Sequence, residues 1–128
     1  MKTFYTEKEK GIIKKELLDK EANKVANDIM NGEPRLSVTQ LRRFYGEFKS
    51  LEKKYHFHRN KIDVILPLVK MVKSKAAYAA DQRKIPHSFR KFLDTYVDYI
   101  EDDKEFEAFM LFFEAVVGFC YGTGKLRK

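Results

Sequence analysis

The stretch that most limits how this chain can fold is KEFEAFMLFFEAVVGFCY, from Lys104 to Tyr121. Its spacing predicts a helix, yet Phe106, Phe109, Met110, Phe112, Phe113, Val116, Val117 and Phe119 fall on nearly every side of that helix. A helix apolar all round is stable only when it is covered, by its own domain or by a partner copy. It does not read as a bilayer span. The run from Ala108 to Tyr121 is interrupted by Glu114 and Gly118, and it is shorter than the ~20 residues a span needs.

The remaining chain reads as helices able to supply that cover. Thr6 and Glu9 make a capping-box pattern at the start of a first helix, whose Ile12, Ile13, Leu17, Ala22, Val25, Ala26 and Ile29 keep helical period until Gly32 and Pro34. Ser37 and Gln40 form a second box, with Leu36 and Leu41 at the staple positions and Leu41, Phe44, Phe48, Leu51 and Tyr55 as the buried stripe. Arg42, Gly46, Lys49 and Lys53 make a separate, basic edge on that helix. HFHRN is a connector, after which Asn60 and Asp63 can cap a helix over Lys61–Lys84 that Pro67 kinks or breaks. Pro86 opens the next helix, striped by Phe89, Phe92, Leu93, Tyr96 and Ile100, and Glu101–Asp103 places negative charge at the start of the last one. Leu126–Lys128 reads as a loose basic tail. No alternating strand pattern is visible, so the expectation is all-α: a compact bundle of about five helices with a kinked central helix, in a single domain over 1–128.

The central helix has more than one apolar side. Ile62, Ile65, Val69, Val72, Ala76 and Ala79 form a core stripe, while Val64, Leu68, Met71 and Tyr78 lie nearly opposite. Between them, and on into the next helix, run Lys70, Lys73, Lys75, Arg83, Lys84, Arg90 and Lys91, opposed in sequence by Asp81. Acidic residues then concentrate from Asp98 to Glu107. Such segregation, on a chain of net charge +7, points to a polyanion partner, because a merely solubilising surface mixes signs. Tyr78, beside Lys75, can stack on a base, bond a phosphate or pack on a neighbouring helix.

Catalytic chemistry has no residues to rest on. There is no Gly-rich phosphate loop, nucleophile elbow, HExxH or paired-Cys pattern. The single Cys120 excludes an internal disulfide, two histidines at i, i+2 do not converge on one metal, and no cofactor is implied. The charged N-terminal residues do not resemble a signal peptide, so the expected setting is reducing and cytoplasmic, with no membrane.

Three blocks resemble the small subunit of type III-A (Csm-type) CRISPR interference complexes. They are LSVTQLRRFYGEF at Leu36–Phe48, KSKAAYAADQRK at Lys73–Lys84, and FMLFFEAVVGF at Phe109–Phe119. The resemblance implies a non-catalytic RNA-binding subunit, stacked in several copies as a filament beside the other subunits of the complex. Such a subunit contacts the guide RNA and target RNA through their backbones, without reading sequence. It also implies self-association, extending to a dimer of the isolated chain. Carried over by motif, the RNA-binding residues are Arg42 and Arg43 from the first block and Lys75, Tyr78, Arg83 and Lys84 from the second. Lys49 and Lys53 are added from the helix-face argument. The competing reading is a helical protein–protein interaction module whose basic face meets an acidic partner without nucleic acid. A helix-turn-helix DNA reader fits less well, because no short second helix carries base-reading side chains at its start.

Overall fold

The computed structural model describes residues 4–128, and these form an all-α bundle with one two-stranded hairpin at its N-terminal edge. The helices are α1 (Ala22–Met30), α2 (Val38–Phe57), α3 (Ile62–Asp81), α4 (His87–Asp98) and α5 (Asp103–Gly122). They are all-α as the periodicity implies, and five α-helices lie among the described residues.

The N-terminal third departs from the sequence reading. Thr6 does not cap a helix; it lies in β1 (Tyr5–Glu7), which pairs antiparallel with β2 (Ile12–Ile13). A 3-10 turn over Lys8–Lys10 and Gly11 at φ 70 reverse the chain between them, a left-handed position that glycine takes without penalty. A π-helical turn, Leu17–Glu21, then runs directly into α1. The hairpin is clasped to the start of α5. Lys8 bridges Asp102 and Glu105, Lys104 Nζ donates to the Lys8 carbonyl at 3.1 Å, and Phe4 packs against Tyr96, Tyr99 and Phe112.

From α2 onward most local signals hold. Ser37 Oγ accepts from the Gln40 amide at 3.1 Å, the cap expected of it, and Leu41, Phe44, Phe48, Leu51 and Tyr55 are the buried residues of α2. Asp102 caps α5 by accepting from the Glu105 amide at 2.9 Å. Two expected caps shift. Lys61, not Asn60, stands at the start of α3, and Asn60 is left-handed at φ 60, with its Oδ1 turned back 2.8 Å from His56 Nδ1. Pro86 occupies the capping position of α4 rather than the first helical one. No break occurs at Pro67, where α3 runs on unbroken. The proline lies in its second turn, and the carbonyl it leaves unpaired belongs to exposed Asp63, where water can serve.

The all-apolar α5 is covered by its own chain. Phe109 and Phe113 meet Phe48 of α2 at 5.0 and 5.6 Å and Phe92 of α4 at 6.3 and 5.3 Å, while Phe112 meets Tyr96 at 4.7 Å with the rings tilted. Such aromatic pairs add to area burial and hold α2 and α4 at fixed distance from α5. The C-terminal residues are not loose. Arg127 donates its amide to the Leu36 carbonyl and accepts from the Val38 amide, both at 2.9 Å, so a strand-like bridge flanks the cap of α2.

Candidate nucleic-acid interface

α2 and α3 are joined by residues 58–61, a connection so short that the two helices lie antiparallel. The first half of α2 therefore faces the second half of α3. Between them opens a cleft of about 320 Å³ lined by Arg43, Phe44, Ser74, Lys75, Tyr78, Ala79 and Lys84. Phe44 and Ala79, both buried, make an apolar floor, and the three cations with Tyr78 form the rim.

Local backbone geometry delivers Lys84 to that rim. α3 ends with two bonds, Arg83 amide to Ala80 carbonyl at 3.0 Å and Lys84 amide to Ala79 carbonyl at 2.9 Å. This is the Schellman arrangement, in which the residue after the cap is left-handed and usually glycine. Here it is Arg83, at φ 56. α2 ends in the same way, with Arg59 at φ 58, its amide bonded to the His56 carbonyl and the Asn60 amide to the Tyr55 carbonyl.

Of the eight residues expected to bind RNA, the fold gathers Arg43, Lys75, Tyr78 and Lys84 at the cleft, with Arg83 in the adjoining turn. Tyr78 is 65% exposed. Lys75 is ion-paired with Glu47 from α2, whereas Arg43, Arg83 and Lys84 form no ion pair among the described residues. Arg42 points elsewhere: its Nε donates to the Tyr121 hydroxyl at 3.0 Å, tying α2 to α5. Lys49 is bound to Glu52 at 2.8 Å, a hydrogen bond that raises its pKa. Lys53 stands exposed on the same outer face of α2. At Gly46, between Arg42 and Lys49, an added Cβ would meet nothing within 4 Å, so that part of the face is open.

The segregation of charge seen in sequence does not survive folding. α3 packs against α4, which brings Lys70 within 2.9 Å of Glu101 and of the Val97 carbonyl, and pairs Lys73 with Asp98. The Lys73 hydrogen bond holds the Asp98 carboxyl below its usual range. Arg90 likewise pairs with Asp94 at 3.4 Å. Lys70, Lys73 and Arg90 are thus held by carboxylates of α4 and the turn after it, so of the basic run from Lys70 to Lys91 the cations without an ion pair among the described residues are Arg83, Lys84 and Lys91.

That outer face carries what residue spacing missed. Four residues beyond Lys53 comes Phe57, 82% exposed, with Lys54, Arg59 and Lys61 beside it. The missed signal was simply the next step of the basic stripe. Cys120 offers no chemistry, since burial pushes its thiol up to about 12. Among the described residues no group of three or more His, Cys, Asp and Glu converges on a metal position, and no helix is long and apolar enough to cross a membrane.

A family model described as Csm2 Type III-A matches residues 13–123, which takes in the cleft, the outer face of α2 and all five helices and leaves out the hairpin up to Ile12. No curated protein and no solved structure matches the chain.

Proposed function

Since the chain belongs to the Csm2 Type III-A family, the small subunits of type III-A CRISPR effector complexes, we propose that it is a non-catalytic subunit that holds RNA in the α2–α3 cleft. The observation that carries this reading is the convergence of Arg43, Lys75, Tyr78 and Lys84 from two helices and a turn onto one rim. Arg43 and Lys84 lack carboxylate partners among the described residues, so an incoming phosphate displaces only water and counterions from them. Backbone contacts of this kind position a strand without reading its bases, as suits a subunit that serves any guide. Arg83 continues the cationic edge, and Arg42, Lys49 and Lys53 lie along the outer face of α2.

Association with the other subunits, and with further copies stacked along the guide–target duplex, is the second half of the proposal. It is supported by an exposed ridge on α3, where Val64, Met71 and Tyr78 repeat at intervals of seven. Apolar residues at that interval make one continuous helical seam. Scattered exposed side chains would not form such a line. The ridge runs into the cleft at Tyr78, so a neighbour seated on it would lie beside the bound strand.

Replacing Arg43 and Lys84 together by glutamate tests the cleft. Binding of labelled RNA should weaken, and the plot of log affinity against log salt should flatten by about 1.4–1.8, from roughly 0.7–0.9 per lost phosphate contact. Circular dichroism should be unchanged, because neither residue is buried or ion-paired. Unaltered affinity and slope in a folded variant would remove the cleft from the site.

A further inference from the structure

The outer stripe of α2 does not stop at Lys53. Steps of four, three, four and four lead from Arg42 through Gly46, Lys49 and Lys53 to Phe57, so all five share one face. Phe57, at 82%, is the most exposed large hydrophobic residue described, and its ring meets that of His58 edge-on with centroids 5.2 Å apart. The corner that displays it is well tied. The Asn60 amide donates to the Tyr55 carbonyl at 2.9 Å, the Arg59 amide to the His56 carbonyl at 3.1 Å and the Lys61 amide to the His58 carbonyl at 3.3 Å. A corner held this firmly by its backbone, with a phenylalanine left largely in water, gains little burial from that ring within the monomer.

The surroundings of Phe57 select its partner. Lys53 precedes it by one turn on the same face, and Lys54, Arg59 and Lys61 crowd the corner. All four are exposed, and none forms an ion pair among the described residues, unlike Lys49, Lys70, Lys73 and Lys75. An apolar protein pocket built for Phe57 would bring four uncompensated cations to its rim. An aromatic platform amid free cations is instead the combination that binds single strands, with bases on the ring and phosphates on the charges. A duplex keeps its bases stacked inside, so the base that can reach Phe57 is an unpaired one.

We propose that the α2–α3 corner is a second nucleic-acid contact, in which an unpaired RNA base stacks on Phe57 while its flanking phosphates meet Lys53, Lys54, Arg59 and Lys61. The corner lies about 21 Å along α2 from Arg43, at roughly 1.5 Å per residue. The proposal rests on the RNA-binding reading above and adds to it the kind of strand taken.

The chain contains no tryptophan, so Phe57→Trp installs a single reporter. The full chain is titrated with a single-stranded oligouridylate of about 12 nucleotides, within the site sizes single-strand binders use, and with an RNA duplex of equal length. The single strand should quench the tryptophan and the duplex should not. Phe57→Ala should weaken single-strand binding at least fivefold, in the range expected of one lost stack, with no change in salt slope, because no phosphate contact is removed. The corner proposal is overturned if tryptophan emission stays constant at concentrations that saturate the anisotropy of labelled RNA. It is equally overturned if Phe57→Ala binds RNA as the parent does but loses another subunit of the complex, which would make the corner a protein contact. The Arg43→Glu, Lys84→Glu double variant keeps the two sites separate: its failure to weaken binding removes the cleft and leaves the quenching result standing.

Discussion

Arg83 stands at a position built for glycine, and exchanging it separates what the backbone wants from what the surface needs. Its φ of 56 places it in the left-handed region, where Gly11 and Gly124 at φ 70 show the unstrained choice. For a residue with a Cβ that conformation costs about 1–2 kcal/mol. Glycine removes this cost but gives back about 0.5–1 kcal/mol through its greater freedom in the unfolded chain. The balance predicts that Arg83→Gly stabilises the protein by roughly 0.5–1 kcal/mol. At this chain length that corresponds to a rise in Tm of about 2–4 °C. Urea unfolding should show a higher midpoint with an unchanged m-value, since the exposed area on unfolding is the same. Arg83→Ala is the control: it deletes the same guanidinium but keeps the Cβ and therefore the strain, so it should show no gain. Both variants should lose RNA affinity to the same degree if Arg83 meets a phosphate. An Arg83→Gly protein no more stable than Arg83→Ala would refute the strain argument. A stable variant with full RNA affinity would refute a phosphate contact at Arg83.

Three further outcomes follow from single contacts. A Cβ added at Gly32 would lie 2.2 Å from Ser88 Oγ and 2.8 Å from Pro86 Cβ, and Ser88 Oγ donates to the Ile29 carbonyl at 2.9 Å. Gly32→Ala should therefore cost about 2–4 kcal/mol, from overpacking of roughly 1–3 and a displaced hydrogen bond of about 1, measured by thermal melts; the cost should shrink in a Ser88→Ala background. Glu47→Gln frees Lys75 from its partner and should steepen the salt dependence of RNA binding by about 0.7–0.9, read from anisotropy at several ionic strengths. The clasp of the hairpin should follow pH from both ends. Burial works to raise the Asp102 carboxyl, but hydrogen bonds from Lys8 and the Glu105 amide outweigh it and leave the group lowered. The Asp102 hydrogen bond raises Lys8. Stability from Asp102 is thus present above about pH 4 and lost as pH falls through its lowered value; that from Lys8 is present below about pH 10 and lost as pH rises through its raised value. Amide exchange of residues 5–13, corrected for intrinsic rates, should slow between those limits and speed outside them.

What was legible in sequence is what local physics decides. The stripe of α2 with its serine cap, the core stripe of α3 and the many-sided α5 each repeat over several turns, so period and burial agree throughout α2 and at most positions of α3 and α5, with Ile62, Val117 and Phe119 only partly buried. The hairpin was not legible, because strands of three and two residues are too short to show alternation, and Ile12 and Ile13 fit a helical period equally well. Charge misled for a different reason. Lys70 and Lys73 are 31 and 25 positions from the carboxylates that neutralise them, and only the packing of α3 on α4 brings the pairs together. Within the candidate site, Arg43 and Lys84 were found by motif and meet in space, whereas Arg42 was drawn off by Tyr121 on a helix nearly eighty residues away.

The bridge at Arg127 bears on the order in which the molecule assembles. Its Nε reaches the Arg35 carbonyl at 3.4 Å across 92 positions of chain, and its backbone completes the entry to α2. Closing a loop of that length is entropically dearer than closing the four-residue corner between α2 and α3, each doubling adding about 0.6 kcal/mol. Loop closure alone predicts that the helical pair carrying the cleft and the corner forms early and the Arg127 bridge late. Weakening the bridge, by removing residues 125–128, should quicken unfolding while leaving the refolding rate nearly untouched, the kinetic mark of a contact absent from the transition state.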